Sequence, residues 1–386
     1  MIALASPLAQ FRAHEEGIRA AIDRVLTANT YILGQEVTAF ERAFAGYCGS
    51  AHAVGVANGT DALILALRAL GVGPGDEVIT VSHTALATVA GVIATGATPV
   101  LVDIDPVYYT IDPAGIQAAI TGKTKAIIAV HLYGQAVDLP AIQDIARRHG
   151  LKLIEDCAQA TGARLDGKVL GSMGDVGCFS FYPTKNLGGI GDGGMIVTSD
   201  QAIEERVRRL REYGWNEKRE AQEIGVNSRL DALQAAILDV KLHHLDADNQ
   251  RRAAIAAQYD AGLSGLGLTL PAVRPGSLHV YHLYVLACGD RDGLQKQLAT
   301  DGVGTGIHYP VPAHLQKGYE SRVSLPKAGL PVTTELVSRI LSLPMYPELG
   351  DEDVKRVVDA VQSRCKTAIA SRSIPTTTPK YASVAL

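Results

Sequence analysis

Apolar positions along this 386-residue chain follow two alternating rhythms. Between about Asp61 and Leu210, short β-branched runs at Glu77 to Val81, Pro99 to Val102, Lys125 to Val130, Leu151 to Glu155, Gly177 to Phe181 and Met195 to Thr198 are separated by stretches of helical spacing. One such stretch, Ala62 to Leu70, places apolar residues at 63, 64, 65, 67 and 70. The alternation predicts an α/β fold with a mainly parallel sheet covered by helices. A longer helical pattern starts near Ser228, whose hydroxyl suits a cap, and continues through Leu233, Ile237, Val240 and Leu245 toward Tyr259. The change of domain is expected around residue 246, giving a large domain over 1–245 with an N-terminal helical arm and a smaller C-terminal α/β domain over 246–386. The smaller domain should hold a strand over Tyr281 to Ala287 and a helix over Asp292 to Thr300. Its last residues, from about Ser371, are rich in Ser, Thr and Pro and are expected to be loosely ordered. There are no internal repeats.

Composition narrows the classes. A chain with 47% hydrophobic residues buries a large core, and its length suits two domains. A net charge of -4 with mixed signs offers no basic field for nucleic acid. The cysteines at 48, 157, 178, 288 and 365 form neither a disulfide framework nor a metal spacing, so a reducing cytoplasm and no metal are expected. The start, Met1-Ile2-Ala3-Leu4-Ala5-Ser6-Pro7, lacks a basic leader and soon meets Arg12, His14, Glu15 and Glu16. No stretch approaches the roughly 20 apolar residues of a membrane span, so a soluble protein is expected.

Candidate chemistry sits in three blocks. In Gly177-Cys178-Phe179-Ser180-Phe181-Tyr182-Pro183-Thr184-Lys185-Asn186, an apolar strand stops at a proline and presents a single amine beside Ser and Gly. Most lysines are solvated charges, and Lys185 alone would be read that way; the glycines at 188, 189, 191, 193 and 194 leave room for a ligand near the backbone. In Leu151-Lys152-Leu153-Ile154-Glu155-Asp156-Cys157-Ala158-Gln159, carboxylates fall at the C-terminal end of a strand, where open parallel sheets bind ligands. An isolated Asp there would more simply cap the next helix. In Asn58-Gly59-Thr60-Asp61, capping residues open a helix with free N–H groups and a hydroxyl, a seat for phosphate. Neither a Walker loop nor a Gly-x-Gly-x-x-Gly pattern is present.

Together with Gly191-Asp192-Gly193-Gly194 and Gly225-Val226-Asn227-Ser228-Arg229-Leu230-Asp231, these blocks make the chain resemble the DegT/DnrJ/StrS sugar aminotransferases. Those are pyridoxal phosphate (PLP) enzymes of the aspartate aminotransferase fold (fold type I, with a seven-stranded sheet in the large domain), and the likeness runs from Ile32 to Pro344. The resemblance implies that Lys185 holds the PLP aldehyde as a Schiff base and then serves as acid and base. It implies that Asp156 faces the pyridine nitrogen and Gln159 the ring hydroxyl. Phosphate would rest on Gly59, Thr60, Asp61 and Ser180, completed by Asn227 of a second subunit in a homodimer with shared sites. Many relatives cover the ring with an aromatic residue where this chain has Ala85, so His83 is the candidate for stacking on it; a His packed for structural reasons is equally compatible. On the substrate side, Tyr182, Arg229, His308, Tyr309 and His314 are candidates, and the segment Tyr281-His282-Leu283-Tyr284 is similar to segments of members acting on nucleotide-linked keto-sugars; the same residues could fill a core.

The implied reaction moves an amino group from L-glutamate, or glutamine, to a nucleotide-linked keto-sugar, with pyridoxamine phosphate between the two halves. Glu212-Tyr213-Gly214-Trp215 is similar to the subgroup that aminates C3 of dTDP-linked 3-keto-6-deoxyhexoses, whereas Arg219 to Glu223 departs from it. Amination of another sugar carbon or of an inosose is an alternative, as is a PLP-binding regulator without turnover. A sugar 3-dehydrase is disfavoured, because those relatives place His where this chain has Lys185.

Overall fold

The computed structural model describes residues 1–372, with side chains to Cys365. Ser371 and Arg372 close the last helix, and the rest of the expected loose tail, 373–386, lies outside the described residues.

Seven strands form one sheet: β1 (His52–Val56), β2 (Glu77–Val81), β3 (Thr98–Val102), β4 (Thr124–Val130), β5 (Lys152–Asp156), β6 (Val176–Ser180) and β7 (Gly194–Thr198). Their spatial order is β1-β7-β6-β5-β4-β2-β3. Only β7 runs antiparallel to its neighbours; the remaining pairs are parallel. Central strands such as β4, whose Ala126-Ile127-Ile128-Ala129-Val130 is buried throughout, are covered on both faces, which explains their continuous apolar runs.

The N-terminal arm is α1 (Pro7–Ala13) and α2 (Glu15–Leu26), followed by α3 (Gly34–Cys48). Covering helices are α4 (Gly59–Ala69), α5 (Leu86–Ala94), α6 (Pro113–Ala119), α7 (Leu139–His149), α8 (Gln201–Leu210) and α9 (Ala232–Leu242). The start of α4 is fixed locally: the Asn58 side chain accepts from the Asp61 N–H at 2.8 Å, a cap at the first turn. Its face of Leu63, Leu65, Ala66 and Leu67 is buried against β6 and β7.

The helical pattern expected to run from Ser228 to Tyr259 is two helices, α9 and α10 (Leu245–Leu263), interrupted at His243 and His244. Leu242 and Leu245 are both buried at a spacing of three, so the periodicity runs across the break without revealing it. The cap position of α9 is Asp231, not Ser228. The Ser228 hydroxyl instead accepts from the Ala57 N–H at 3.1 Å and donates to Asp61 Oδ2 at 2.7 Å, tying this segment to the start of α4.

A second apolar core lies among α10, the antiparallel pair β8 (Tyr284–Ala287) and β9 (Ile340–Leu343), α11 (Arg291–Thr300) and α13 (Asp351–Arg372), with α12 (Pro331–Val337) between α11 and β9 in the chain. Ile2 belongs to this core and bridges to Val303, so the first residues of the chain join the smaller unit. The strand expected from Tyr281 begins only at Tyr284. Before it, the Val280 N–H donates to Gly134 O and the Leu283 N–H to Tyr133 O, which holds 280–283 against a turn of the large sheet instead of in a ladder. No helix among the described residues is long and apolar enough to cross a membrane.

Candidate active site

Because β1, β2, β4, β5 and β6 run the same way, their carboxyl ends meet on one edge of the sheet. There they surround a cavity of about 650 Å³. It is lined from the β1 end by Asn58, Gly59, Thr60 and Asp61, from the segment after β2 by Thr84, Ala85, Ala87 and Thr88, and from β5 by Asp156 and Gln159. Ser180, Tyr182, Thr184 and Lys185 line it after β6, and His282, His308 and Tyr309 come from beyond residue 245.

Asp156 is the last residue of β5 and is buried. Its Oδ2 accepts from the Thr88 hydroxyl at 2.8 Å and its Oδ1 from the Ala158 N–H at 3.1 Å; Thr84 in turn meets Thr88, hydroxyl to hydroxyl, at 2.8 Å. Burial raises its pKa, while the two hydrogen bonds and Lys185 work against that rise. Lys185 sits on a turn closed by its own N–H on Tyr182 O at 2.8 Å. Burial pulls the amine down to about 8, opposed by the Asp156 charge. A partly buried amine and a buried carboxylate thus share one cavity, each shifting toward its neutral form.

A PLP molecule needs a phosphate seat, an amine for its aldehyde and an anion for its ring nitrogen. The first two N–H groups of α4, on Gly59 and Thr60, have no intrahelical acceptor and sit beside the Thr60 and Ser180 side chains at the cavity wall. A Cβ on Gly59 would lie 2.6 Å from Ser180 Cβ, so this approach is open to glycine alone. Gln159 is held rigidly: Oε1 accepts from the Tyr133 N–H and Nε2 donates to Tyr309 Oη, both at 2.8 Å. These residues fit the cofactor.

Four candidate residues do not line the cavity. His83 is buried edge-on to Tyr133, with Nε2 2.8 Å from Tyr133 Oη, so the ring expected to stack on the cofactor is committed to Tyr133 instead. His314 meets Ser82 Oγ through Nδ1 at 2.7 Å and ties its loop to the end of β2. Arg229 faces Glu212 at 3.6 Å, and Asn227 is exposed. Conversely, Thr84, Thr88, Thr184 and Tyr133 were not among the candidates. Tyr133 Oη donates to His308 O and so joins the sheet edge to the segment beyond residue 306. The signal of Thr88 and Tyr133 is contact across 50 to 175 residues of chain, which no local pattern carries.

His131, Glu155 and Cys157 offer ligand atoms within 4.8 Å of one another. Their capacity is already used within the fold. His131 Nδ1 accepts from the Val137 N–H at 3.2 Å, which leaves Nε2–H to donate to Glu155 Oε2 at 3.1 Å. The same carboxylate accepts from the N–H groups of Gly171, Met173 and Gly174. Burial would raise the Glu155 pKa, but His131 and these N–H groups outweigh it and hold it below the usual value. The cluster is a structural clamp on the loop before β6.

Similarity to known proteins agrees with this geometry. The DegT/DnrJ/EryC1/StrS aminotransferase family profile matches residues 12–362. The chain is 47% identical over 361 residues to the dTDP-3-amino-3,4,6-trideoxy-alpha-D-glucose transaminase of Streptomyces venezuelae, covering 92% of this chain and 95% of that one. It is 46% identical over 362 residues to the UDP-N-acetyl-3-dehydro-alpha-D-glucosamine 3-aminotransferase of Acidithiobacillus ferrooxidans, covering 93% and 97%. The crystal structure of DesV from S. venezuelae superposes with a TM-score of 0.92 at 46% identity, over 95% of this chain and 98% of that one. A cavity built on a strand-end lysine and carboxylate, matched over nearly its whole length to PLP transaminases, makes this chain an enzyme of the DegT/DnrJ/EryC1/StrS aminotransferase family.

Proposed function

We propose that the protein takes an amino group from L-glutamate and delivers it to C3 of a nucleotide-linked 3-keto-sugar, a dTDP-linked 3-keto-6-deoxyhexose being the first choice. The observation that carries this reading is the meeting of Lys185 and Asp156 in one cavity at the strand ends. Position 3 is supported by the names of both relatives described above.

When bound, PLP supplies an electron sink that stabilises a carbanion at the carbon bearing the nitrogen. The protein supplies the rest. Lys185 Nζ, pulled to about 8, is half neutral at about pH 8 and keeps a sizeable neutral fraction just below it, so it can take the proton from the donor Cα and return it on the other side of the transfer. Asp156, kept in place by Thr88 and the Ala158 N–H, would set its negative charge against the ring nitrogen. Gly59, Thr60 and Ser180 would anchor the phosphate, and Gln159 would meet the ring hydroxyl. Tyr182, His308 and Tyr309 line the side left for the sugar.

The same reading makes the protein a homodimer with shared sites. Asn227 lies outside its own cavity, close in sequence to Ile224, which is 90% exposed, and Ile32 and Ile190 are each 50% exposed. A second copy would cover these side chains and bring Asn227 to its neighbour's phosphate. The five cysteines are free, which supports a cytoplasmic location, and the balanced charge supports a protein that engages neither nucleic acid nor membrane.

The test is a screen of dTDP- and UDP-linked 3-keto- and 4-keto-sugars and scyllo-inosose as acceptors for glutamate-treated enzyme. A 3-keto-sugar nucleotide should restore the yellow colour that glutamate bleaches. Recovery only with an inosose or a 4-keto-sugar would reassign the acceptor, and recovery with none would leave a PLP-binding protein without turnover.

A further inference from the structure

We propose that His282, a residue without a role in the chemistry above, recognises the acceptor by hydrogen-bonding one of its hydroxyl groups beside Lys185. The inference rests on the keto-sugar reading and names the contact that selects the sugar.

His282 lines the active-site cavity yet is only 6% exposed, and its Nδ1 has no hydrogen-bond partner. Buried polar atoms are paired in the great majority of cases, because an unpaired one forfeits its hydration for nothing. The imidazoles of two neighbouring residues have found partners: His308 Nδ1 meets Ser342 Oγ at 2.8 Å and His314 Nδ1 meets Ser82 Oγ at 2.7 Å, whereas His83, also open at Nδ1, does not line the cavity. His282 keeps an open position at the edge of a cavity where a ligand belongs.

The loop that carries it is pinned from both sides. The Val280 N–H donates to Gly134 O at 3.2 Å, the Leu283 N–H donates to Tyr133 O at 3.4 Å, and Asn186 Nδ2, next to Lys185, donates to Val280 O at 3.0 Å. Gly134 has φ of +98° and allows the approach, since a Cβ there would lie 3.0 Å from the Tyr281 nitrogen and 3.2 Å from that of His282. The backbone that carries the imidazole is therefore fixed before any ligand arrives, and Asn186 ties the His282 loop to the lysine turn.

Charge decides which ligand group it reads. Burial, with Lys185, Arg252 and His308 adding to it, holds His282 well below its ordinary pKa, so the ring is neutral. A neutral imidazole offers one N–H donor and one lone pair. A hydroxyl suits either, accepting from the N–H or donating to the lone pair. The carboxylates of an amino-acid donor are better served by cations, so this ring is suited to the sugar.

The experiment compares wild type with His282→Phe, which fills the space without a ring nitrogen, and His282→Asn, which keeps a donor and an acceptor. Glutamate bleaching and keto-sugar recovery are timed separately, and dTDP-glucose and UDP-N-acetylglucosamine are titrated calorimetrically into the PLP-loaded protein as binding probes. His282→Phe should slow recovery at least about tenfold more than bleaching and weaken the tighter probe about tenfold, with His282→Asn regaining most of both. Equal losses in the two halves with unchanged probe binding, or wild-type behaviour throughout, would overturn the proposal. Should His282→Phe fail to fold, His282→Asn and His282→Gln decide by the same readouts. A wild-type enzyme that bleaches but recovers with no keto-sugar would sink the keto-sugar reading, while the probe titration still reports on His282.

Discussion

At the scale of single residues, the pairing of Lys185 with Asp156 decides what the site does. The amine is lowered from 10.5 to about 8, so it loses its proton as pH rises through about 8. Capture of PLP by the cofactor-free protein should accordingly speed up through that pH and level off above it. Asp156 is the group that raises Lys185, so Asp156→Asn should move the midpoint below 8, as read by stopped-flow absorbance. The same variant should lose on the order of 10²–10⁴-fold in kcat while binding substrate nearly as before. Thr88→Val removes the hydroxyl from Asp156 Oδ2 and lets the already raised carboxyl rise further. A fall in kcat of roughly tenfold is expected, the effect of about 1–1.5 kcal/mol, with an acidic limb shifted upward in the pH profile. Lys185 and Asp156 were legible in the sequence because residue type and strand end coincide. Thr88 was not, since its hydroxyl meets a residue 68 positions away. His83 shows the converse: its position suggests a ring cover, and only packing reveals that Tyr133 has claimed it.

Among elements, the strand ends matter most, and they were the most readable feature. Fully buried strands announce themselves as apolar runs, and all six expected runs of the sheet begin and end on the observed boundary or one residue from it. The break between α9 and α10 escaped because helical spacing persists across it. Glu155, next to Asp156, holds the loop before β6 through three N–H groups and His131. Its pKa is held below the ordinary 4.5, so its stabilisation is complete above about 4.5 and is lost as pH falls through the lower folded value. Urea unfolding at several pH values should show that acid loss in wild type and a weaker one in Glu155→Gln. The variant should also be less stable by about 1–3 kcal/mol at pH 7, because an amide accepts through one oxygen only and leaves buried N–H donors unpaired.

At the scale of the molecule, two apolar cores meet at the cavity, with the large sheet presenting Lys185 and Asp156 and the smaller unit's side presenting His282, His308 and Tyr309. The family blocks made the cofactor seat readable, whereas the crossing of Ile2 to the smaller core depends on a pairing with Val303 that is some 300 residues distant in the chain. Shared sites predict complementation. Lys185→Ala and Asn227→Asp should each be weak alone, and mixed subunits should regain up to about a quarter of wild-type activity through random pairing into dimers with one intact site; no recovery on mixing would argue that each subunit completes its own site. The most direct test follows the nitrogen itself. PLP-loaded enzyme is treated with L-[¹⁵N]glutamate, freed of small molecules, and given a dTDP-linked 3-keto-6-deoxyhexose for one turnover. Mass spectrometry should find up to one ¹⁵N per active site in the sugar product, and none with Lys185→Ala; unlabelled sugar from wild type, with the ¹⁵N still on the protein, would contradict the assignment.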